Sequence, residues 1–287
     1  MVDAGSRSLA QKTSLKKLET LTADLAQELL RAKERAEQAD RCKTVFMSIV
    51  SHELRTLLNS IMGFTDVIRQ GLSGPVTTLQ SEQLAIVQHS SQTMLDLINE
   101  LLDMSRIESG RLCLEIEPFD IAELVRRHVL ALQVLSVRKG LTLTFITDAD
   151  LPAVTSDPRR VGQIVTNLVS NAIKYTISGS VAVTLARSGD CVQVAVQDTG
   201  PGISADDLAR IFLPYEQGSD ARSRRDSAGL GLPIAKQLAQ ALGGDIDVSS
   251  DLGNGACFTV RIPVRVPGAD GGERTIEHPQ LRLAGIA

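Results

Sequence analysis

The stretch FMSIVSHELRTLLNSIMGF, Phe46 to Phe64, combines an imidazole, a carboxylate and a hydroxyl with apolar residues at helical spacing. On a helix His52 lies about 200° round from both Val50 and Leu54, so it points away from the apolar stripe toward water. Thr56, four residues on, stands beside it on the same face. Glu53 is its immediate neighbour and can fix the imidazole tautomer. A surface imidazole with an orienting carboxylate can act as a nucleophile. Taken alone, a His-Glu pair is more often a solvated helix face. His89 and His128 lie on helical patterns with no partner motif, and His278 is in the tail; all three read as ordinary histidines.

Three further groupings could do chemistry. In TNLVSNAIKYT, Asn167 and Asn171 are one helical turn apart, with Lys174 a turn further on. Amide oxygens can ligate Mg²⁺, and a lysine meets phosphate as a point charge. In VQDTGPGIS a strand ends on Asp198, and Gly200 and Gly202 let backbone approach a flat ligand. A carboxylate there suits an exocyclic amino group such as that of adenine. In SAGLGLPIAKQLAQALGG, Gly229 and Gly231 open a helix whose free N–H groups favour phosphate. The preceding GSDARSRRD carries Arg222, Arg224 and Arg225, like a basic lid over an anion. Each has a plainer reading: an incidental Asn pair, a strand-end turn, a weak GxG match and a solvated charge run.

These residues need elements to hold them. From Leu18 to about Arg69 there is no proline, and steps of three and four pick out Leu18, Thr22, Leu25, Leu29, Ala32, Ala36, Ala39, Lys43, Phe46 and Val50. That is a heptad seam, and it resumes through Leu54, Leu57, Ile61, Phe64 and Ile68. Two successive steps of four from Phe46 to Leu54 make a stutter at the His-Glu pair. GLSGPVTT breaks the helix, and a second runs from about Leu79 to Glu108 with Val87, Met94, Leu97, Ile98, Leu101 and Met104 inward. Two such helices bury only part of their stripes against each other, so a homodimer with a four-helix bundle is expected.

Beyond ESGRL the pattern turns mixed. Asp120 and Glu123 suggest a capping box for a helix to about Val137. LTLTFIT alternates as a strand, and DPRRVGQIVTNLVSNAIKY is a helix opened by Asp157 with Pro158 in its first turn. SVAVTLA and CVQVAVQD pair across RSGD, and DIDVSS and ACFTVRIPV close the domain. The tail after Pro267 is expected to be flexible.

Composition narrows the function classes. At 287 residues about two domains are expected. A net charge of −4 gives no basic surface for nucleic acid. Cys42, Cys113, Cys191 and Cys257 form no CxxC pair, which favours reduced thiols in a cytoplasmic protein over a metal or disulfide framework. No apolar run long enough to insert in a membrane is found, and the first residues lack a signal core.

The order and spacing of SHELRT, NLVSNAIKYT, DTGPGI, IFLPYEQ and GLGLPIAKQLAQALGG resemble the successive H, N, first glycine, F and second glycine boxes of bacterial sensor histidine kinases. The resemblance covers roughly Thr44 to Val264. It implies an α+β multidomain fold: an N-terminal coiled coil, a dimerisation and phosphotransfer hairpin, then an α/β sandwich of the Bergerat type that binds ATP. The expected domains are a flexible start (1–14), the coil (15–42), the hairpin (43–109), the ATP domain (110–266) and a flexible tail (267–287).

The same resemblance implies roles. His52 would accept the phosphoryl group, Glu53 would orient it, and Thr56 would position water in the reverse, phosphatase reaction. Asn171 would hold Mg²⁺ on the ATP phosphates, supported by Asn167. Lys174 would touch phosphate and Tyr175 would lie by the nucleotide. Asp198 would accept from adenine, while Gly200, Gly202, Gly229 and Gly231, with Leu230 and Leu232 beside them, would line the nucleotide. Phe212 would anchor the lid. A response regulator would be the partner, and an upstream sensor domain or protein would supply the signal.

Two departures from the family pattern stand out. Leu57 replaces the usual proline after HELRT; proline would kink the helix at a cost of about 3 kcal/mol, so a straighter first helix and an altered kinase–phosphatase balance are expected. Ser227 and Ala228 replace the start of GTGLGL, which predicts weaker nucleotide affinity. Bergerat-fold ATPases of the chaperone, topoisomerase and mismatch-repair kind resemble one another in a glutamate four residues before the metal-binding asparagine. Here that position is Asn167, which cannot take a proton from water. A degenerate kinase signalling by dimer contacts alone fits the departures but not the intact His52, Asn171 and Asp198.

Overall fold

In the computed structural model of the chain, residues 27–33, 35, 38, 47, 49–108, 112–216, 229–266 and 272–275 are described. The chain divides into two units, Met1–Glu53 and Leu54–Ala287. In the smaller unit, residues 27–33, 35 and 38 are helical and exposed, Leu29 and Leu30 among them. The rest of the expected coil, with Phe46 of the stutter, lies outside the described residues.

Helix α1 covers residues 49–69 and α2 spans Thr78–Glu108. The helix passes Leu57 without a break, as the missing proline leads one to expect. The turn between the two helices ends in a reciprocal cap: the Gln80 N–H donates to Thr77 Oγ1 at 3.2 Å and the Thr77 N–H to Gln80 Oε1 at 2.9 Å. Within Leu54–Glu108 the hairpin core is small, with Leu58, Leu95 and Ile98 buried and Leu54 and Met62 against them. The sequence stripe divides here. Leu57, Ile61, Phe64, Val87 and Met94 are exposed, so Val87 and Met94, expected inward, face outward. One helix offers its partner only the ridge on its near side, and Leu95 takes the inward place.

The second part folds as two layers. Strands β2 (Thr142–Thr147), β4 (Ser180–Ser188), β5 (Cys191–Asp198), β7 (Ala256–Pro263) and β6 (Asp245–Ser250) form a sheet in that spatial order. β2 and β4 are parallel and the other neighbours antiparallel. Val181, Val183 and Leu185 on β4, Val192, Val194 and Val196 on β5, and Val260 and Ile262 on β7 are completely buried. Their spacing of two is the alternation expected of a strand with one face on a core. Helices α3 (Ile121–Arg138), α4 (Pro158–Tyr175) and α6 (Gly231–Ala241) pack on the sheet and on one another; α5 is a single turn, Ala205–Leu208.

Helix starts follow the caps legible in the sequence. Asp120 accepts from the N–H groups of Ala122 and Glu123 at 2.8 and 3.1 Å. The Glu123 carboxylate pairs with Arg126 at 2.9 Å. A second, small sheet was not foreseen: β1 (Cys113–Phe119) lies between β3 (Val154–Ser156) and β8 (Gly272–Thr275), antiparallel to both. Gly272–Thr275 therefore corrects the expectation of a wholly flexible tail. The other tail residues, His278 included, lie outside the described residues.

Candidate active site

β5 brings Asp198 to the sheet's end on the same side as Val192, Val194 and Val196. The carboxylate is buried, and its Oδ1 accepts the Gly200 N–H at 2.8 Å. Burial holds its pKa above the usual carboxylate value, opposed by the backbone N–H groups of Gly200 and Ala256. Gly202 has φ 73°, and a Cβ there would run into the Asp251 carbonyl. Gly255 has φ 78°, and a Cβ there would strike the carbonyl of Asp198 itself. The β6–β7 turn is thus pressed against the strand end that carries Asp198. Gly255 escaped the sequence reading, although a GNG run between two strands is a turn signal.

α4 is pinned at both ends. Asp157, completely buried, caps its start: Oδ1 accepts from Arg159 and Arg160 N–H at 2.9 and 3.1 Å, and Oδ2 from the Glu115 N–H at 2.9 Å. At its far end Thr176 Oγ1 donates to the Ala172 carbonyl at 2.7 Å. The Lys139 ammonium donates to the Ile173 and Lys174 carbonyls at 2.8 and 2.6 Å, opposing the negative end of the helix dipole. Lys139 was not singled out in the sequence. Its place just before Gly140 at the end of α3 was the available signal.

Between these ends the polar face of α4 carries Asn167, Asn171 and Lys174. Asn167 Nδ2 donates to the Gly231 carbonyl at 3.0 Å, tying α4 to the first residue of α6. Asn171 and Lys174 are half-buried; the Lys174 ammonium lies 5.5 Å from the centre of the exposed Tyr175 ring. The Tyr175 carbonyl lies 3.4 Å from the place a Cβ on Gly200 would occupy. Asn167 with Gly231, and Tyr175 with Gly200 and Asp198, are thereby brought together.

The start of α6 has no side-chain cap, so its first N–H groups have no local carboxylate or hydroxyl competing with an anion. Leu230 is completely buried in the core and Leu232 partly so. The Leu230 side chain is therefore a core contact, and only its backbone can serve a ligand. The Phe212 ring packs on the core under the Lys236 ammonium, 5.1 Å from the ring centre. Tyr215 donates its N–H to the Gly229 carbonyl at 3.3 Å, and adopts φ 65°, uncommon for a residue with a Cβ. Those two residues join the ends of the expected lid. Arg222, Arg224, Arg225, Ser227 and Ala228 lie outside the described residues.

In the smaller unit the His52 side chain is 74% exposed, and its Nδ1 lies 3.4 Å from Glu53 Oε1. The orienting carboxylate is in place and the imidazole can be reached from solvent. Thr56, in the larger unit, is exposed on α1, and its carbonyl accepts from Ser60 Oγ at 3.0 Å. His128 donates or accepts through Nδ1 to Thr166 Oγ1 at 3.0 Å, wedged against Gly162. Burial, then Arg127, lowers its pKa. This is a packing role between α3 and α4.

Comparison with known proteins matches these parts. Residues 42–110 fit the model of the His Kinase A (phospho-acceptor) domain. Residues 156–266 fit that of the histidine kinase-, DNA gyrase B-, and HSP90-like ATPases. Histidine protein kinase DivJ of Caulobacter vibrioides is 41% identical over 220 residues, covering 76% of this chain and 37% of DivJ. Signal transduction histidine-protein kinase BarA of Escherichia coli is 37% identical over 268 residues, covering 91% of this chain and 28% of BarA. Full-length ShkA in complex with AMPPNP is a solved structure with TM-score 0.64 and 32% identity, covering 76% of this chain and 45% of that one. Histidine kinase ThkA in complex with response regulator protein TrrA gives TM-score 0.52 and 26% identity over 75% of this chain and 60% of that one.

A helical region with an exposed histidine, followed by an ATPase-type α/β domain, is the core of a sensor histidine kinase, and this chain belongs to that family. It spans less than half the length of DivJ and of BarA. Among the described residues no helix is long and apolar enough to cross a membrane.

Proposed function

We propose that the chain is the catalytic core of an ATP-dependent protein histidine kinase that phosphorylates its own His52. The observation that carries this reading is Asp198: a buried carboxylate at a strand end, bonded to Gly200 and walled by the glycine turns. Such a group accepts a hydrogen bond from the amino group of adenine, with Tyr175 at the pocket's edge. The triphosphate would extend along α4 toward Lys174 and the N–H groups at Gly229 and Gly231. Gly202 gives the turn its close approach, Leu230 and Leu232 hold the start of α6, and Phe212 anchors the base of the lid.

Mg²⁺ fits this site. Asn171 offers one hard amide oxygen, which suits an ion that keeps water and phosphate as its other ligands, and Asn167 holds Gly231 in register. When bound, Mg²⁺ would spread the charge of the phosphates. An imidazole nitrogen of His52, set by Glu53, attacks the γ-phosphorus as the bond to the β–γ bridging oxygen breaks, and ADP leaves with that electron pair. The phosphoryl group then passes to a carboxylate oxygen of an aspartate on a response regulator. The ThkA–TrrA complex supports that class of partner. Thr56, exposed on α1, would orient water for dephosphorylation of the regulator.

The exposed stripe of Leu57, Ile61, Phe64, Val87 and Met94 supports a homodimer in which a second copy covers it. The working divisions are a coil over 15–42, a phosphotransfer hairpin over 43–109 and an ATP domain over 110–266, with 1–14 and 267–287 as terminal segments. The proposed setting is the cytoplasm, where ATP and reduced thiols coexist; Cys113, Cys191 and Cys257 are free. Input would come from a sensor domain or protein upstream.

Incubation with γ-labelled ATP and Mg²⁺ tests the reaction. Label that is acid-labile, base-stable and missing from His52→Gln is the expected result. Label retained in that variant would assign the phosphoryl group elsewhere.

A further inference from the structure

β1 (Cys113–Phe119) is the first strand after α2, and its two edges are used differently. Its second half pairs with β3, from Glu117↔Ser156 to Phe119↔Val154. On the opposite edge its first half pairs with β8, from Cys113↔Thr275 to Ile116↔Gly272. The Glu115 N–H is committed to Asp157 Oδ2 at 2.9 Å. Backbone groups alternate between the edges of a strand, so Leu114 and Ile116 are the residues that offer theirs to Arg274 and Gly272. Both β1 and β8 lie outside the matched segments 42–110 and 156–266.

The two members of this pair are held very differently. β1 is anchored by Leu114, completely buried, and by Ile116, buried with it in the core. β8 is four residues long and reads GERT. That is short for a strand, and glycine and glutamate are both poor strand formers. The register also sets Glu273 opposite Glu115, and like charges directly opposite weaken a strand pair. On the outer face of β1, Cys113, Glu115 and Glu117 are exposed at a spacing of two. Glu115 keeps one cation near it, Arg159, at 2.7 Å, with both side chains more than half exposed. The acceptor strand is thus fixed and acidic outside, while its occupant is short and puts a carboxylate where a cation fits better.

We infer that the Cys113–Ile116 edge of β1 is a strand-addition site for an extended segment of a partner protein, with a lysine or arginine opposite Glu115. Residues 272–275 are the resident occupant, and they give way to a segment of better charge. Main-chain bonds to Leu114 and Ile116 would supply the affinity, and the cation opposite Glu115 the selectivity. A partner seated there would lie on the strand that follows the hairpin and closes the Asp157 cap of α4.

The probe is a fluorescein-labelled peptide of residues 271–276 carrying Glu273→Lys, titrated by anisotropy into the full chain and into its Arg274→Pro variant. Proline at that position removes the N–H that faces β1 and so empties the edge. The variant should bind the peptide at least about tenfold more tightly than the wild-type chain does, because its own strand no longer competes. The same peptide with its glutamate restored should bind the variant several-fold more weakly. A second full-chain variant, Glu273→Lys, should slow amide hydrogen exchange at Leu114 and Ile116 and exclude the peptide. The proposal is overturned by no binding to Arg274→Pro at millimolar peptide, or by equal binding of the two peptides. Exchange at Leu114 and Ile116 that is the same in the wild-type and Glu273→Lys chains would also overturn it, and that comparison decides alone should Arg274→Pro not fold.

Discussion

The hairpin and the sheet domain bury their apolar residues in opposite ways. In the sheet domain the strands and helices enclose Val165, Leu168, Val194, Leu238 and Ile262 completely. In the hairpin only Leu58, Leu95 and Ile98 form a core, while Phe64 remains 73% exposed and Leu57 60%. A sheet with helices on it closes around its own side chains. Two helices cannot, because each has neighbours on one side only. The sheet domain therefore encloses its own core, and the hairpin leaves an apolar stripe uncovered.

That contrast can be broken at several points. The largest effect should come from Leu168→Ala in α4. Removing a completely buried leucine should cost about 2–5 kcal/mol, read as a lower midpoint in denaturant. A loss under about 1 kcal/mol would mean that the core is looser than its burial implies.

Next in size is Glu100→Gln, which tests where the two regions meet. Glu100 has a folded pKa of about 7 against an ordinary 4.5, with Asp96, Asp103 and Lys174 in its field and Arg160 paired to Asp103. Its proton is held more tightly in the fold, so its contribution is fully present below about pH 4.5 and lost as pH rises through 7. The loss is on the order of 2 kcal/mol after allowance for partial exposure. Glu100→Gln should then raise the thermal midpoint at pH 8 more than at pH 5. An equal shift at both pH values would show that Glu100 does not feel this burial.

The smallest effect on stability belongs to Phe64→Ser, under about 0.5 kcal/mol for an exposed position. Its consequence should lie in assembly instead. Light scattering should show a dimer for the parent chain and a larger monomer fraction for the variant. A variant as dimeric as its parent would move the interface away from the exposed stripe of α1.

Much of this was legible in the residues. Asp120 and Asp157 mark helix starts because a short acceptor side chain ahead of an apolar period has few other uses, and both cap as expected. The strands of the large sheet announced themselves by alternation. The same alternation runs on into Asp198, which is buried two residues after Val196. β1 and β3 were not legible: β1 is the short central strand of a small sheet, with alternating Glu and apolar residues, and β3 has three residues. Their pairing comes from distant segments, not from local pattern. The inward list for α2 was half right because a helical stripe is wider than the ridge that one neighbouring helix can cover.

By itself the sequence determined most of the element types, the helix-start caps, the family motifs and their order, because these depend on side-chain chemistry and spacing along the chain. Only the tertiary structure decided which groups meet across it. Asp103 finds Arg160 and Gln163 at separations of 57 and 60 residues, Lys139 closes the end of α4, and Gly255 presses on the backbone of Asp198. Such contacts follow from how packed layers bring remote faces together, and no local period encodes them.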